Sequence, residues 1–223
     1  MKRNRVGRGL LAAVLCGVMV WTGCSTNWIG QAEEIVAALI PAAANIVALV
    51  AALQGKSVSA GDLEMIQSAG AQAGADLQVI QSLIAAYEKA DAASKPGILN
   101  QVQSAINSVQ QSLQGLLAGL HIKDAAAQAK VSAVVGILLS EVQSLAAVVP
   151  LVGGEKFPTS AAKSAAEMGH PVKAPFSAAE FVASYNATMT AKTGNAELDR
   201  ACAGLRIHEH GKVLRVVTLG VEK

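Results

Sequence analysis

The feature that most constrains the fold of this chain is a spacing of apolar residues that recurs four times between residues 24 and 149. Alternating steps of four and three residues place all the apolar side chains of a series on one side of an α-helix, and they match the seam of left-handed helix packing. The series are Ile35, Leu39, Ala42, Ile46, Leu49 and Leu53; Leu63, Ile66, Gly70, Ala73, Leu77, Ile80, Ile84 and Tyr87; Val102, Ile106, Val109, Leu113, Leu116 and Leu120; and Val131, Val135, Leu138, Val142, Leu145 and Val149. Four such series in succession predict four amphipathic helices.

The stretches between the series carry signals that end one helix and begin the next. Ser59 precedes the second series as a predicted N-cap, with Asp62 at the third helical position. The segment 91–97 contains a proline and a glycine, and Asp124 is a predicted cap for the fourth helix. Short connections make successive helices antiparallel neighbours, so residues 24–149 are predicted to form an up-down four-helix bundle in a mainly α protein.

Residues 150–223 differ in character from the bundle. Residues 150–176 hold four of the six prolines in the chain and are interpreted as a linker. Residues 177–223, which we call the tail, begin with Ser177 and Glu180 placed as a capping box for a helix. Asn195 is expected to cap a second short helix that ends near Ala203.

A β-hairpin is predicted at the end of the tail, over residues 205–221. Two short runs rich in branched apolar residues flank His210 and Gly211, which are interpreted as the turn. An isolated hairpin is marginally stable in water, so it is expected to pack on the tail helices or on the bundle. The tail is therefore predicted to be a small α+β appendage.

Residues 1–24 have the parts of a bacterial secretory leader. Four cationic residues precede an apolar stretch, Leu10–Val20, and the segment closes with Thr22, Gly23 and Cys24. This ending resembles the lipobox of bacterial lipoprotein precursors, with Trp21 where that family usually has an aliphatic residue. The resemblance implies removal of residues 1–23 and acylation of Cys24. The alternative is an uncleaved signal anchor.

The resemblance also implies an address. Lipoproteins of Gram-negative bacteria in which the residue after the cysteine is not Asp are usually passed to the outer membrane, and here that residue is Ser25. We therefore expect a protein anchored to the lipid bilayer of the cell envelope, on the periplasmic face of the outer membrane. Trp28 is expected at the level of the lipid headgroups.

The charge balance argues against a nucleic-acid partner. The leader holds four of the 18 Lys and Arg residues and none of the 16 Asp and Glu residues, so the rest of the chain carries a net charge of −2. Aromatic residues make up only 3% of the chain, which argues against stacking platforms for single-stranded nucleic acid or sugars. Opposite net charges on the bundle and on residues 150–223 favour docking of the tail on the bundle.

His208 and His210 are the strongest candidates for metal binding. Residues two apart share a face of a strand, so both imidazoles can reach one ion, but zinc sites use three or four protein ligands. His170 and Cys202 would have to complete the set. We therefore expect no metal site and interpret the two histidines as solvated residues of the hairpin.

The sequence gives no reason to expect an enzyme or a cofactor. It lacks a nucleophile elbow, a phosphate-binding glycine loop and the paired-histidine spacing of zinc proteases. Glu33 and Glu34 are expected in the first turn of the first helix, where the helix dipole stabilises negative charge. Cys202 is expected to be buried and inert, with pairing between chains and reactivity as the alternatives.

Three functions remain open from the sequence, and the weakest of them is an enzyme or metal-binding tail that uses His208, His210 and Cys202. The leading one is a lipid-anchored helical bundle that binds a protein partner or associates with itself. The alternative is a membrane-inserting or pore-forming bundle that uses Ile35–Leu53 and Val131–Val152, which are almost free of charge.

The rings at positions 176, 181 and 185 are the candidates for a partner contact within the tail. Large aromatic side chains are the usual anchors of protein interfaces. The other interpretation of Phe176, Phe181 and Tyr185 is that they form the small core of the tail itself.

Overall fold

A computed structural model describes residues 27–53, 58–152, 177–210 and 213–216. Within these ranges the chain is mainly helical, with six helices and two short strands. The elements are α1 (Asn27–Leu53), α2 (Ala60–Lys89), α3 (Lys95–Gly119), α4 (Ala125–Val148), α5 (Ala178–Thr190), α6 (Ala196–Ala203), β1 (Ile207–His210) and β2 (Val213–Val216). The leader, Cys24 and the greater part of the predicted linker lie outside the described residues.

Helices α1 to α4 pack as a bundle around a hydrophobic core. Helix α1 packs against α2 and α4, and α3 also packs against α2 and α4, so the four helices close a ring. Every residue of the first, third and fourth apolar series is buried, and the second series is half-buried only at Leu63 and Tyr87. The 4-3 spacing therefore predicted both the four helices and the faces that they bury.

Helix α1 begins eight residues before its apolar series. Its first residue is Asn27, so Glu33 and Glu34 lie in the second turn and not in the first, and the predicted stabilisation by the dipole of the first turn is wrong. The early start is explained by Trp28 and Ile29, which are buried and extend the packed surface of the helix towards its N-terminus.

The predicted caps are present. The Ser59 hydroxyl accepts a hydrogen bond from the backbone N–H of Asp62, and the Asn195 side chain accepts one from Leu198. Asp124 accepts from two backbone N–H groups of α4, and Ser177 accepts from the N–H of Glu180. Each cap binds N–H groups that a helix cannot pair internally, which fixes where the helix starts.

Three long-range contacts join the ends of the bundle helices. The ring of Trp28, at the start of α1, lies 5.1 Å from the ring of Tyr87, near the end of α2. The backbone N–H of His121, just after α3, donates to the carboxylate of Asp62, at the start of α2, over 3.1 Å. The Gln103 amide donates to the carbonyl oxygen of residue 150, which follows α4.

The tail packs on one side of the bundle. Helices α5 and α6 contact each other, α5 contacts both α4 and α1, and α6 and β2 contact α1. The buried apolar side chains of the tail belong to the same hydrophobic core as those of the bundle. His210 is the last residue of β1, so the prediction that it lies in the turn is wrong.

Candidate functional site

Some of the site residues predicted from the sequence lie outside the described residues or are described by their backbone alone. Cys24 and Phe176 are outside the described residues, as is His170. His208 and His210 belong to β1 by their backbone, but their side chains are outside the described part of the chain. Within the described part, no three His, Cys, Asp or Glu side chains are grouped so that they could hold a metal ion.

The predicted partner contacts are buried. Phe181 is 3% exposed and Tyr185 is fully buried, with their ring centroids 6.0 Å apart. Their interpretation as a docking surface is therefore wrong in this conformation, and the other interpretation, a core position, is correct. Both rings lie in the shared core because α5 presents one apolar face to α1 and α4.

Trp28 is not at an exposed position. Its side chain is buried in the core, and its indole meets the ring of Tyr87 at an interplanar angle of 69°. The ammonium group of Lys95, the first residue of α3, lies 4.9 Å from the centre of the Tyr87 ring. The expectation that Trp28 sits among lipid headgroups is therefore corrected: packing against Tyr87 removes it from the surface.

Lys130 on α4 is a buried cation that ends helix α5. Its Nζ donates hydrogen bonds to the carbonyl oxygens of Thr188, Met189 and Ala191 over 2.7, 3.3 and 2.6 Å. The last carbonyls of a helix have no partner within the helix and carry the negative end of its dipole, so a cation there is favourable. An ammonium group has three donors, and all three find acceptors here.

Asn45 on α1 makes the second polar attachment of the tail. Its amide nitrogen donates to the carbonyl oxygen of Leu205 over 2.6 Å, although the two residues are 160 positions apart in the chain. Asn45 is fully buried, and its Oδ1 has no hydrogen-bond partner among the described residues. The attachment therefore satisfies one half of the amide and leaves the other half buried without a partner.

The hydroxyl of Tyr185 is also buried without a hydrogen-bond partner among the described residues. Burial raises the pKa of this hydroxyl strongly, because the charged phenolate loses its hydration. The nearby Asn45 amide lowers the pKa of the hydroxyl in part. The two side chains nevertheless do not meet the distance and angle criteria of a hydrogen bond. Tyr185 is therefore a neutral phenol at every physiological pH.

Cys202 lies in the same region and is fully buried. Burial raises the pKa of its thiol, and the nearby charge of Lys130 opposes this rise only in part. A thiol that is both buried and protonated is a poor nucleophile, which agrees with the expectation of an inert cysteine. Asp199 fixes the adjoining connection, since its carboxylate accepts hydrogen bonds from the backbone N–H and the hydroxyl of Thr193.

These contacts define a candidate functional site, which we call the tail interface. It comprises Asn45 and Lys130 on the bundle and Tyr185, Cys202 and Leu205 on the tail. The interface joins segments far apart in sequence, and polar bonds to backbone carbonyls fix it at two points. Its chemistry is that of holding a segment in place.

The two helices under the tail are also the most apolar. Among the described residues, two helices are long and apolar enough to cross a membrane by length and composition, and they are α1 and α4. Helix α1 is mostly buried in the bundle, whereas α4 is buried over a smaller share of its length. The core helix of a soluble protein passes the same test, so this property alone does not place either helix in a bilayer.

The sequence contains two weak signals of the tail interface. Asn45 is the one strongly polar residue in the 19 residues from Ile35 to Leu53, and such a residue in a buried helix requires a partner. Lys130 directly precedes the fourth apolar series. Neither position indicates where its partner lies.

No family model matches this chain, and neither a curated protein nor a solved structure matches it. The function therefore has to be argued from the residues and their geometry.

Proposed function

We propose that this chain is a lipid-anchored lipoprotein of the cell envelope, acylated at Cys24, whose helical bundle acts as a binding or structural module. The observation that carries the proposal is the leader with its lipobox-like ending at Cys24, together with a helix that begins at Asn27. Two residues separate the two features. The bundle would therefore start at the membrane surface, without a long tether.

The proposal includes location and mode of action. Ser25 directs the protein to the outer membrane, on the periplasmic face. The bundle acts by helix-face contact with a protein partner or with a second copy of itself, and it needs neither a cofactor nor a catalytic group.

We further propose that the bundle has the antiparallel up-down order and that the tail ends in a β-hairpin. The contacts between Trp28 and Tyr87 and between Asp62 and His121 support the order, because each joins the start of one helix to the end of another. Antiparallel pairing of Ile207 with Val216 and of His210 with Val213 supports the hairpin.

A second candidate function is insertion into the membrane by Ile35–Leu53 and Val131–Val152. The length and apolar composition of α1 and α4 favour it. Since α1 packs against both α2 and α4 in the bundle, insertion would require the bundle to open.

The first experiment compares the wild-type precursor with its Cys24→Ala variant in a bacterial host. The lipoprotein proposal predicts that the variant loses labelled palmitate and that alkaline carbonate releases it from membranes. A Cys202→Ala variant is the matched control and should keep both label and membrane attachment. Palmitate label that persists in the Cys24→Ala protein would refute acylation at this position.

An intact-mass measurement distinguishes the two functions. A variant that has lost its leader and yet resists carbonate extraction would be held by its helices, which supports membrane insertion. A wild-type chain that retains the leader and carries no palmitate would indicate the uncleaved signal anchor.

A further inference from the structure

We infer that the tail is a releasable cover over α1 and α4, and that its release delivers these two helices to a lipid bilayer. The inference deepens the second proposed function by naming what controls it. Acylation of Cys24 serves here only to keep the bilayer close to the bundle. The tail interface has two states, one in which the tail is docked on the bundle and one in which it is released.

The placement of the tail is the first argument. Its main packing partners in the bundle are α1 and α4, and these are the same two helices that are apolar and long enough to enter a membrane. The tail therefore covers the two helices of the bundle that would expose the most apolar composition if it were released. An apolar helix is also the usual surface on which a further core segment packs, so the case for release rests on how the tail is held.

The second argument is the way in which the tail is held. Lys130 and Asn45 bind backbone carbonyls of the tail, and water can replace such bonds when the interface opens. Lys130 has no carboxylate among the hydrogen-bond acceptors of its Nζ, so its charge gains hydration on release. These bonds pair the carbonyls of the tail while it is docked, and water can pair the same donors and acceptors once the tail is released.

The third argument is an imperfection at the centre of the interface. Asn45 Oδ1 and the Tyr185 hydroxyl are buried without hydrogen-bond partners among the described residues, and burying such atoms is unfavourable. Both atoms would be hydrated if the tail swung away. The docked interface therefore carries an unfavourable burial of polar atoms that release of the tail would remove.

Release exposes apolar surface that water does not favour and a bilayer does. Helix α1 would keep only α2 and α4 as major neighbours, and the outer side of α4 would lose α5. A contiguous exposed apolar surface is typical of a site that binds a membrane or another protein. A bilayer tethered through Cys24 is the partner present at the highest local concentration.

The test uses the full processed chain, residues 24–223, with Cys24→Ala, so that Cys202 is the sole thiol and Trp28 the sole tryptophan. The alkylation rate of Cys202 reports opening of the tail, because the thiol is buried when the tail is docked. Flotation with vesicles of zwitterionic phosphatidylcholine reports transfer to a bilayer. Far-ultraviolet circular dichroism and Trp28 fluorescence report the bundle.

The decisive variant is Lys130→Met, with Lys123→Met as its matched control on the exposed connection before α4. We expect Lys130→Met to raise the alkylation rate of Cys202 by about tenfold, with a rise of similar size in vesicle binding. Lys123→Met should behave as the parent chain does. Faster alkylation without any gain in vesicle binding would overturn the inference, as would an unchanged alkylation rate.

A second variant keeps the test valid if Lys130→Met unfolds the bundle. Tyr185→Phe removes the buried hydroxyl that lacks a partner, so it should close the tail more tightly, slow alkylation of Cys202 and reduce vesicle binding by several-fold. Unchanged vesicle binding in Tyr185→Phe despite slower alkylation would refute the cover. The parent chain lacks the acylation site, so failure of the lipoprotein proposal would leave this result unaffected.

Discussion

A Cβ atom at position 70 of α2 would lie 3.0 Å from methyl carbons of both Ile46 and Val47 on α1. The same addition at Gly74, one turn further along, meets no atom within 4 Å. At the residue scale, α1 and α2 therefore approach each other closely at one glycine and not at its neighbour. Gly70 belongs to the second apolar series and Gly74 does not, so the 4-3 spacing already placed Gly70 on the packed face of α2.

The contrast gives a matched pair of substitutions. Gly70→Leu forces a large side chain into the α1–α2 contact and should reduce the free energy of unfolding by roughly 1–3 kcal/mol. Gly74→Leu replaces a poor helix former without a clash and should be neutral or raise stability by up to about 1 kcal/mol. Urea unfolding of both variants checks this, and equal effects would contradict the close contact at Gly70.

Asp62 makes a pH-dependent contribution to the stability of the fold. The sequence predicted its position beside the cap Ser59, but not its bond to His121. A hydrogen bond from the Ser59 hydroxyl and one from the His121 backbone N–H lower the pKa of its carboxyl below the usual 3.8. Because the folded pKa is lower than the unfolded one, the contribution to stability is fully present above the unfolded pKa and is lost as the pH falls through the folded pKa.

We expect Asp62→Asn to lower the free energy of unfolding by about 1 kcal/mol at pH 7, and we expect this difference to shrink as the pH falls towards the folded pKa of Asp62. Urea titrations of both proteins between pH 2.5 and pH 7 measure the gap, and the other carboxyl groups cancel in the comparison. A gap that stays constant over this range would mean that Asp62 acts through packing and not through its charge.

Local signals were predictable at the residue scale, and long-range ones were not. Ser59, Asp124 and Asn195 each cap a helix that starts at the next residue, so a short stretch of sequence contains the whole interaction. Asn45 and Lys130 bind carbonyls 160 and about 60 residues away. Their partners depend on where the tail docks, which no local pattern encodes.

At the scale of elements, α1 is the helix on which the others depend. It contacts α2, α4, α5, α6 and β2, and the helix continues without interruption through Pro41. Its apolar series was legible because a 4-3 spacing needs no knowledge of the partner helix. Its start at Asn27 was missed, although Trp28 and Ala32 continue the spacing before Ile35 and are both buried.

The central place of α1 predicts a large response to truncation in its core stripe. Leu39 is fully buried, so Leu39→Ala should reduce the free energy of unfolding by roughly 2–5 kcal/mol through lost apolar contact and a residual cavity. Val79 on α2 is 49% exposed, and Val79→Ala should change stability by less than about 0.5 kcal/mol. Thermal or urea unfolding followed by circular dichroism checks both. Similar losses in the two variants would argue that α1 is not the core helix.

At the scale of the whole molecule, the sequence separated bundle from tail but did not show that the two share one core. The marginal stability of a lone hairpin and the opposite charges of the two parts only indicated that the tail docks somewhere. The tail docks where α1 and α4 meet, because Asn45 on α1 and Lys130 on α4 bind its backbone carbonyls. This is also why the aromatic residues of α5, which suggested a partner surface, are core residues.

The contacts at the helix ends predict how the anchored molecule stands on the membrane. Trp28 meets Tyr87, so the connection between α2 and α3 lies at the same end as the start of α1 and the proposed lipid at Cys24. His121 meets Asp62, which places the connection between α3 and α4 at the other end. Helix α1 has 27 residues, so the two ends are about 40 Å apart.

We therefore expect the acylated protein to stand upright, with Ser94 near the bilayer and Lys123 far from it. Fluorophores attached at Ser94→Cys and at Lys123→Cys, each in a Cys202→Ala background, should differ in quenching by labelled lipid headgroups. The probe at 94 should be strongly quenched, while the probe at 123, about 40 Å away, should not respond. Equal quenching at both positions would show a bundle that lies flat on the membrane, and contact through the sides of its helices would then replace contact through its end.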